Sequence, residues 1–229
     1  MHPSIIPLIP QLNQLSTRVL IIPGLHNSEE GHWQSWLQSQ YRGSRRVNQA
    51  CWHTADLDAW ADRIGETIQQ TGRHTQWVAV AHSFGCLALA RYLDQQRATE
   101  QPHQIGSALF VAPADPVKFD VVHRLPQESL GIPSILIGSE NDPWMPLERA
   151  QQWASLWGAR FRNLGAVGHI NVESGFGPWP LARYKVDQMI REQQRLRRLE
   201  RDASLSPPVA NAATWHRPPH ATAGWPRRQ

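Results

Sequence analysis

The stretch from Trp77 to Leu93 constrains this chain more than any other. Trp77-Val78-Ala79-Val80-Ala81 is an apolar run that reads as a short strand buried on both faces. Leu87-Ala88-Leu89-Ala90-Arg91-Tyr92-Leu93 is rich in good helix formers. Between them, Ala81-His82-Ser83-Phe84-Gly85 forms a small-x-Ser-x-Gly turn. A serine in that position stands exposed on a sharp strand-to-helix corner, in a sparsely populated backbone conformation that costs on the order of 1–3 kcal/mol. The flanking residues must be small because strand and helix pass close together. Gly85 meets that need fully, whereas Ala81 replaces the usual glycine and brings one methyl group to be accommodated. The helix opens at the serine, so its free amides and positive dipole end face whatever charge develops there.

Strand and helix patterns alternate on either side of this corner. Strands are expected at Arg18-Val19-Leu20-Ile21-Ile22, near 46–52, over 105–112, over 132–138 and over 159–164. Helical stretches are expected around 32–37, over 56–70, over 147–156 and over 180–199. In the second of these, Leu57, Trp60, Ala61, Ile64 and Ile68 recur at helical intervals, with acids at its start where the dipole favours them. Short, continuously apolar strands separated by helices indicate a parallel sheet covered on both faces. The expected class is α/β, doubly wound.

A chain of 229 residues has room for one such domain and two appendages. The boundaries read as an N-terminal extension over 1–16, a domain over 17–199 and a tail over 200–229. The extension is broken by Pro3, Pro7 and Pro10 and lacks a basic start, which argues against a signal peptide. No run of about 18 apolar residues is present to span a membrane, and a reducing cytoplasm is the expected location. Cys51 and Cys86 make no disulfide framework, and each is expected to serve as a small buried hydrophobe. The formal net charge is +4, yet residues 191–229 alone carry eight arginines against Glu192, Glu200 and Asp202, leaving −1 for the remainder. The basic character therefore belongs to the tail. Its Pro207-Pro208, Pro218-Pro219 and Pro226, with few aliphatic residues, are expected to leave it disordered. The domain has no nucleic-acid signature of its own, and the chain is expected to act as a monomer.

In parallel sheets, reactive groups gather in loops past the carboxyl ends of the strands. Three candidates obey that rule. Ser83 follows one strand, Asp142 in Gly138-Ser139-Glu140-Asn141-Asp142-Pro143 a second, and His169 in Gly165-Ala166-Val167-Gly168-His169 a third. The order Ser, Asp, His along the chain is that of α/β-hydrolases. The expectation sharpens to a single α/β-hydrolase-like domain with a mostly parallel sheet flanked by helices on both faces. In such chemistry His169 takes the Ser83 proton and returns it to the leaving group. Asp142 fixes the imidazole tautomer and steadies the imidazolium. The oxyanion requires two donors, expected from the Phe84 N–H and the Leu25 N–H, with the His26 N–H as the alternative. Asp115 and Glu140 are rival acids, ranked behind Asp142 because the strand preceding that of the histidine normally supplies the acid. His82 is expected to pack or hydrogen-bond. His26, His32 and His53 lack metal-ligand spacing, and neither metal nor cofactor is expected.

Several blocks together carry a family resemblance: Pro23-Gly24-Leu25-His26-Asn27-Ser28, His32-Trp33-Gln34-Ser35-Trp36, Asp56-Leu57-Asp58-Ala59-Trp60, Ala81-His82-Ser83-Phe84-Gly85-Cys86 and Val111-Ala112-Pro113. With these, the chain resembles the small serine hydrolases related to retinoblastoma-binding protein nine and the bacterial YdeN-type proteins, from about residue 18 to about 190. The resemblance implies a compact α/β-hydrolase whose Ser-Asp-His triad falls on Ser83, Asp142 and His169, acting as an esterase or amidase. It does not extend to the Leu-x-Cys-x-Glu motif of the animal member, so retinoblastoma binding is not implied.

Only about twenty residues, 115–133, separate the strands between which many hydrolases insert a cap, so no large cap is expected. Trp144, Trp179 and Phe176 are the aromatic candidates for lining a shallow substrate pocket, with His26 from the oxyanion loop. Trp33 and Trp36 read as a packing stripe. The expected reaction is cleavage of a small acyl ester or amide through an acyl-enzyme. The alternative is a non-catalytic interaction protein on the same fold, which retention of all three chemical groups disfavours.

Overall fold

Six strands form one parallel sheet in the order β2-β1-β3-β4-β5-β6. They are β1 (Ser16–Ile22), β2 (Arg45–Arg46), β3 (Thr75–Ser83), β4 (Ile105–Pro113), β5 (Ser134–Gly138) and β6 (Arg160–Asn163). The helices are α1 (Trp33–Ser39), α2 (Leu57–Gln69), α3 (Phe84–Arg97), α4 (Leu147–Leu156) and α5 (Pro180–Leu205). These elements come from a computed structural model, which describes residues 16–72, 74–99 and 104–205. Most of the expected N-terminal extension, and the tail from 206 onward, lie outside the described residues.

Side chains alternate across each strand, and the two faces feed two cores. Leu20, Ile22, Trp77, Ala79, Ala81, Phe110 and Leu136 pack toward α2, α3 and α4. Val19, Ile21, Val78, Val80, Leu109, Val111, Ile135 and Ile137 pack toward α1 and α5. A strand that buries both faces must be apolar throughout, which is why β3 and β4 read as continuous apolar runs rather than alternating ones. The chain folds as the α/β architecture expected, with helices on both faces. No cap interrupts residues 114–133, which hold only two short 3-10 turns, Pro116–Phe119 and Val122–Arg124. Among the described residues no helix is long and apolar enough to cross a membrane.

Three local expectations need correction. The strand expected near 46–52 reduces to the pair Arg45–Arg46, because after the Val47 N–H bonds to Ile21 O the chain leaves the sheet edge to pass beside His26. Helix α5 continues to Leu205, so the first residues of the expected tail are helical. Cys51 is exposed rather than buried, since its loop lies outside the core; Cys86 is fully buried, and burial pushes its thiol up.

The strand-to-helix corner explains its own glycine. A Cβ on Gly85 would lie 2.3 Å from Pro23 O and 2.7 Å from Ile22 O, so the end of β1 passes directly over the start of α3. Both obstacles are backbone and cannot rotate away. Gly85→Ala is expected to destabilise the fold by at least about 3 kcal/mol, the upper end of ordinary overpacking costs, read as a lowered urea midpoint at unchanged slope.

Candidate active site

Ser83 ends β3 and caps α3 with φ 52° and ψ −127°, a strained conformation for a residue with a side chain. Its hydroxyl makes no capping bond to the helix. It meets His169 instead: Oγ lies 3.0 Å from His169 Nε2. On the far side of the ring, His169 Nδ1 lies 2.9 Å from Asp142 Oδ1 and 3.0 Å from Oδ2. A carboxylate only accepts, so Nδ1 carries the proton and Nε2 is left to accept the Ser83 O–H. Asp142 Oδ1 also accepts the Trp144 N–H at 2.9 Å. The Asp142 side chain is 2% exposed and that of His169 10%, so this pair is largely shielded from water while Ser83 opens on the cavity. A hydroxyl joined in this way to an imidazole and a carboxylate can lose its proton as it attacks an electrophile.

The loops after β5 and β6 reach this geometry because they are sewn together. Glu140 N–H donates to Gly165 O, Ser139 Oγ accepts the Val167 N–H, and Asn141 Oδ1 accepts the Gly168 N–H at 2.6 Å. His169 is then fixed through its backbone. Its N–H donates to Ser174 Oγ at 3.0 Å, and its carbonyl accepts from His82 Nε2 at 3.0 Å. Trp33 Nε1–H holds the next carbonyl, that of Ile170, at 2.8 Å.

The loop after β1 approaches the serine from the other side. A Cβ on Gly24 would fall 2.7 Å from Ser83 Cβ, so only glycine fits there. The His26 N–H is committed to Trp52 O at 2.9 Å, while the Leu25 N–H has no partner among the described residues. The Phe84 N–H belongs to the first turn of α3, where amides have no intrahelical acceptor. Ser83, His169, Leu25, His26, Phe119 and Trp144 share one cavity of about 350 Å³.

A family model described as serine hydrolase matches residues 19–188. The chain belongs to the serine hydrolase family. Comparison with curated protein sequences returns no match. Among solved structures, the chain is similar to a protein from Pectobacterium atrosepticum described as a YdeN-like hydrolase. The two are 31% identical over 78% of this chain and 93% of that one, with a TM-score of 0.70. The ydeN gene product of Bacillus subtilis is similar at 21% identity over 77% of this chain and 100% of that one, TM-score 0.63. Est1E from Butyrivibrio proteoclasticus shares the fold at 12% identity over 81% of this chain and 90% of that one, TM-score 0.56.

Within this serine hydrolase the rival acids are placed elsewhere. Asp115 is paired with Arg149 and caps the 3-10 turn Pro116–Phe119 through the Val117 N–H. Glu140 accepts from Asn163 Nδ2. Trp144, 46% exposed, lines the cavity with His26. Trp179 does not. It is buried on the α1–α5 side, edge-on to Trp33 and Phe176, because the helix that follows it draws it into that core. His53 hydrogen-bonds to His26 through Nδ1 at 2.9 Å. Among the described residues no group of three or more His, Cys, Asp or Glu is arranged to hold a metal ion. Sequence reading missed the supporting roles of Ser139, Asn141 and Ser174. Only Asn141 carried a hint, as a polar neighbour of the acid.

Two further imidazoles stand behind His169. His32 Nδ1 accepts the Gln34 N–H, which leaves Nε2 a buried donor with no partner among the described residues. Burial, then the charges of Arg46 and His169, lower the His32 pKa to about 4; burial holds His82 well below the usual histidine range. The unfolded chain binds these protons near pH 6.5 and the folded one does not, so this stability is complete above that pH. It falls as pH drops toward about 4, by on the order of 3 kcal/mol for His32 alone. Urea midpoints measured from pH 7.5 to 4.5 should fall accordingly. His32→Asn, which keeps a helix N-cap, should flatten the slope, and parallel slopes would contradict this account.

Proposed function

We propose that this hydrolase cleaves a small acyl ester or amide through an acyl-enzyme formed on Ser83. His169 accepts the Ser83 proton as Oγ attacks the carbonyl carbon, then delivers it to the departing alcohol or amine. Asp142 keeps the Nδ1–H tautomer and steadies the imidazolium between those steps. The negative charge on the carbonyl oxygen is met by the Leu25 and Phe84 amides, which are fixed before the substrate arrives. A water activated by His169 attacks the acyl carbon in the second half, and Ser83 recovers its proton. The observation that carries this reading is the unbroken Ser83–His169–Asp142 series at 3.0 and 2.9 Å. A small substrate is favoured because the cavity measures about 350 Å³ and no cap encloses it.

The deciding experiment is reaction with a fluorophosphonate probe, followed by peptide mass spectrometry. One equivalent of label on Ser83 is expected, with its rate slowed by a saturating p-nitrophenyl ester present during the reaction. Absence of label on the folded protein would sink the reading and return the chain to its alternative as a binding protein on a hydrolase fold.

A further inference from the structure

Arg46 stands on the sheet edge, half-buried, and takes no part in the chemistry proposed above. Its Nε donates to Gln38 Oε1 at 2.8 Å, its Nη1 to Asn27 Oδ1 at 3.0 Å and Ser28 O at 2.8 Å, and its Nη2 to Ser35 Oγ at 2.8 Å. All four acceptors are neutral. A partly desolvated cation with no counter-charge among the described residues is costly, so what it holds in place matters.

What it holds is the loop against Ser83. His26 and Asn27 are consecutive non-glycine residues with φ of 65° and 66°. Each such residue costs on the order of 1–3 kcal/mol and persists only where its surroundings over-determine it. Asn27 Oδ1 is shared between Arg46 and the Ser28 N–H. Gln34 completes the clamp: its Oε1 accepts the Ser28 hydroxyl, and its Nε2 donates to the carbonyls of Ile22, the last residue of β1, and of Val80 within β3.

We propose that Arg46 is the positioning residue of the oxyanion hole, its guanidinium locking the His26–Asn27 pair so that the Leu25 N–H is aimed at the substrate oxygen beside Ser83. The proposal rests on the acyl-enzyme reading and adds a residue to it. It explains why a short edge strand carries an arginine with four acceptors from two elements. A lysine would bring one point charge where a planar fork is needed.

The test compares Arg46→Ala with Arg45→Ala, which removes the same charge one residue away. On p-nitrophenyl acetate, Arg46→Ala should lower kcat by about 10–100-fold with KM held within about threefold, a substantial part of the loss seen when an oxyanion donor is deleted. Arg45→Ala should change neither. Arg46→Lys should recover little, whereas guanidinium ion, added well below unfolding concentrations, should restore part of the Arg46→Ala loss. Amide exchange supplies a readout independent of turnover: the His26, Asn27 and Ser28 N–H groups should exchange faster in Arg46→Ala. An effect on KM alone, a loss confined to temperatures near the melting point, or unchanged exchange at these three amides in an active enzyme would overturn the proposal. If the wild type neither turns over esters nor takes up fluorophosphonate, the acyl-enzyme reading and the oxyanion role fall together. Amide exchange then decides only whether Arg46 shapes the loop.

Discussion

Ser83→Ala is expected to lower kcat on a p-nitrophenyl ester by about 10⁶-fold, the loss found when the nucleophile of a comparable triad is removed. The substitution deletes one oxygen and leaves the rest of the corner unchanged. An alanine retains the Cβ that packs against Gly24, and it suffers the same strain at φ 52° as the serine. The melting temperature should therefore change little, which separates lost chemistry from lost fold. His169 keeps its bonds to Asp142 and, through its carbonyl, to His82. With the imidazole still oriented and the Leu25 and Phe84 amides still in place, a residual rate of about 10³–10⁴ over water should remain. KM should stay close to that of the wild type. A loss of less than about 10³-fold would mean that water or another side chain attacks the substrate, and that Ser83 is not the main nucleophile.

The corner at Ser83 was legible because it is local: an apolar run, a small-x-Ser-x-Gly turn and a helix-forming run occupy adjacent positions in the chain. Asp142 and His169 were legible because a parallel sheet sends every strand end to the same rim, so strand boundaries alone place both loops. The supports of these residues follow no such rule. Trp33 reaches the Ile170 carbonyl across 137 residues of sequence, and His82 reaches the His169 carbonyl across 87. Neither pair has a period or spacing that a linear reading could detect. Trp179 was misplaced for the same reason. Lying ten residues past His169, it is near the site in sequence, but the start of α5 turns it onto Trp33. The short β2 was overextended because Val47 is the last residue held to β1, and the apolar Trp52 beyond it serves the His26 amide through its carbonyl. The Leu25 amide was already preferred to the His26 amide on the sequence, but the bond that occupies the His26 N–H came into view only with the fold.

Asp142→Asn should cost on the order of 10⁴-fold in kcat, by changing which imidazole nitrogen carries the proton. Asp142 Oδ1 accepts the Trp144 N–H, so an asparagine would keep its carbonyl oxygen at that position. Its NH₂ group would then occupy the Oδ2 position, 3.0 Å from His169 Nδ1. That donor competes with the carbonyl oxygen, 2.9 Å from the same nitrogen, for the face of the ring; where it prevails, the imidazole has its lone pair on Nδ1 and its proton on Nε2. That proton would point at Ser83 Oγ, and the serine hydroxyl would have no base. In either case a neutral amide no longer steadies the imidazolium. The geometry survives while the chemistry fails, so KM and melting temperature should stay near those of the wild type. Asp115→Asn provides the contrast. It weakens the pair with Arg149, which is 38% exposed, so its stability cost is discounted to about 1 kcal/mol. Its kcat below the melting transition should be unchanged, because Asp115 faces Arg149 and the Val117 amide rather than His169. An active Asp142→Asn beside a dead Asp115→Asn would transfer the role of the acid to Asp115 and would require His169 to turn toward it.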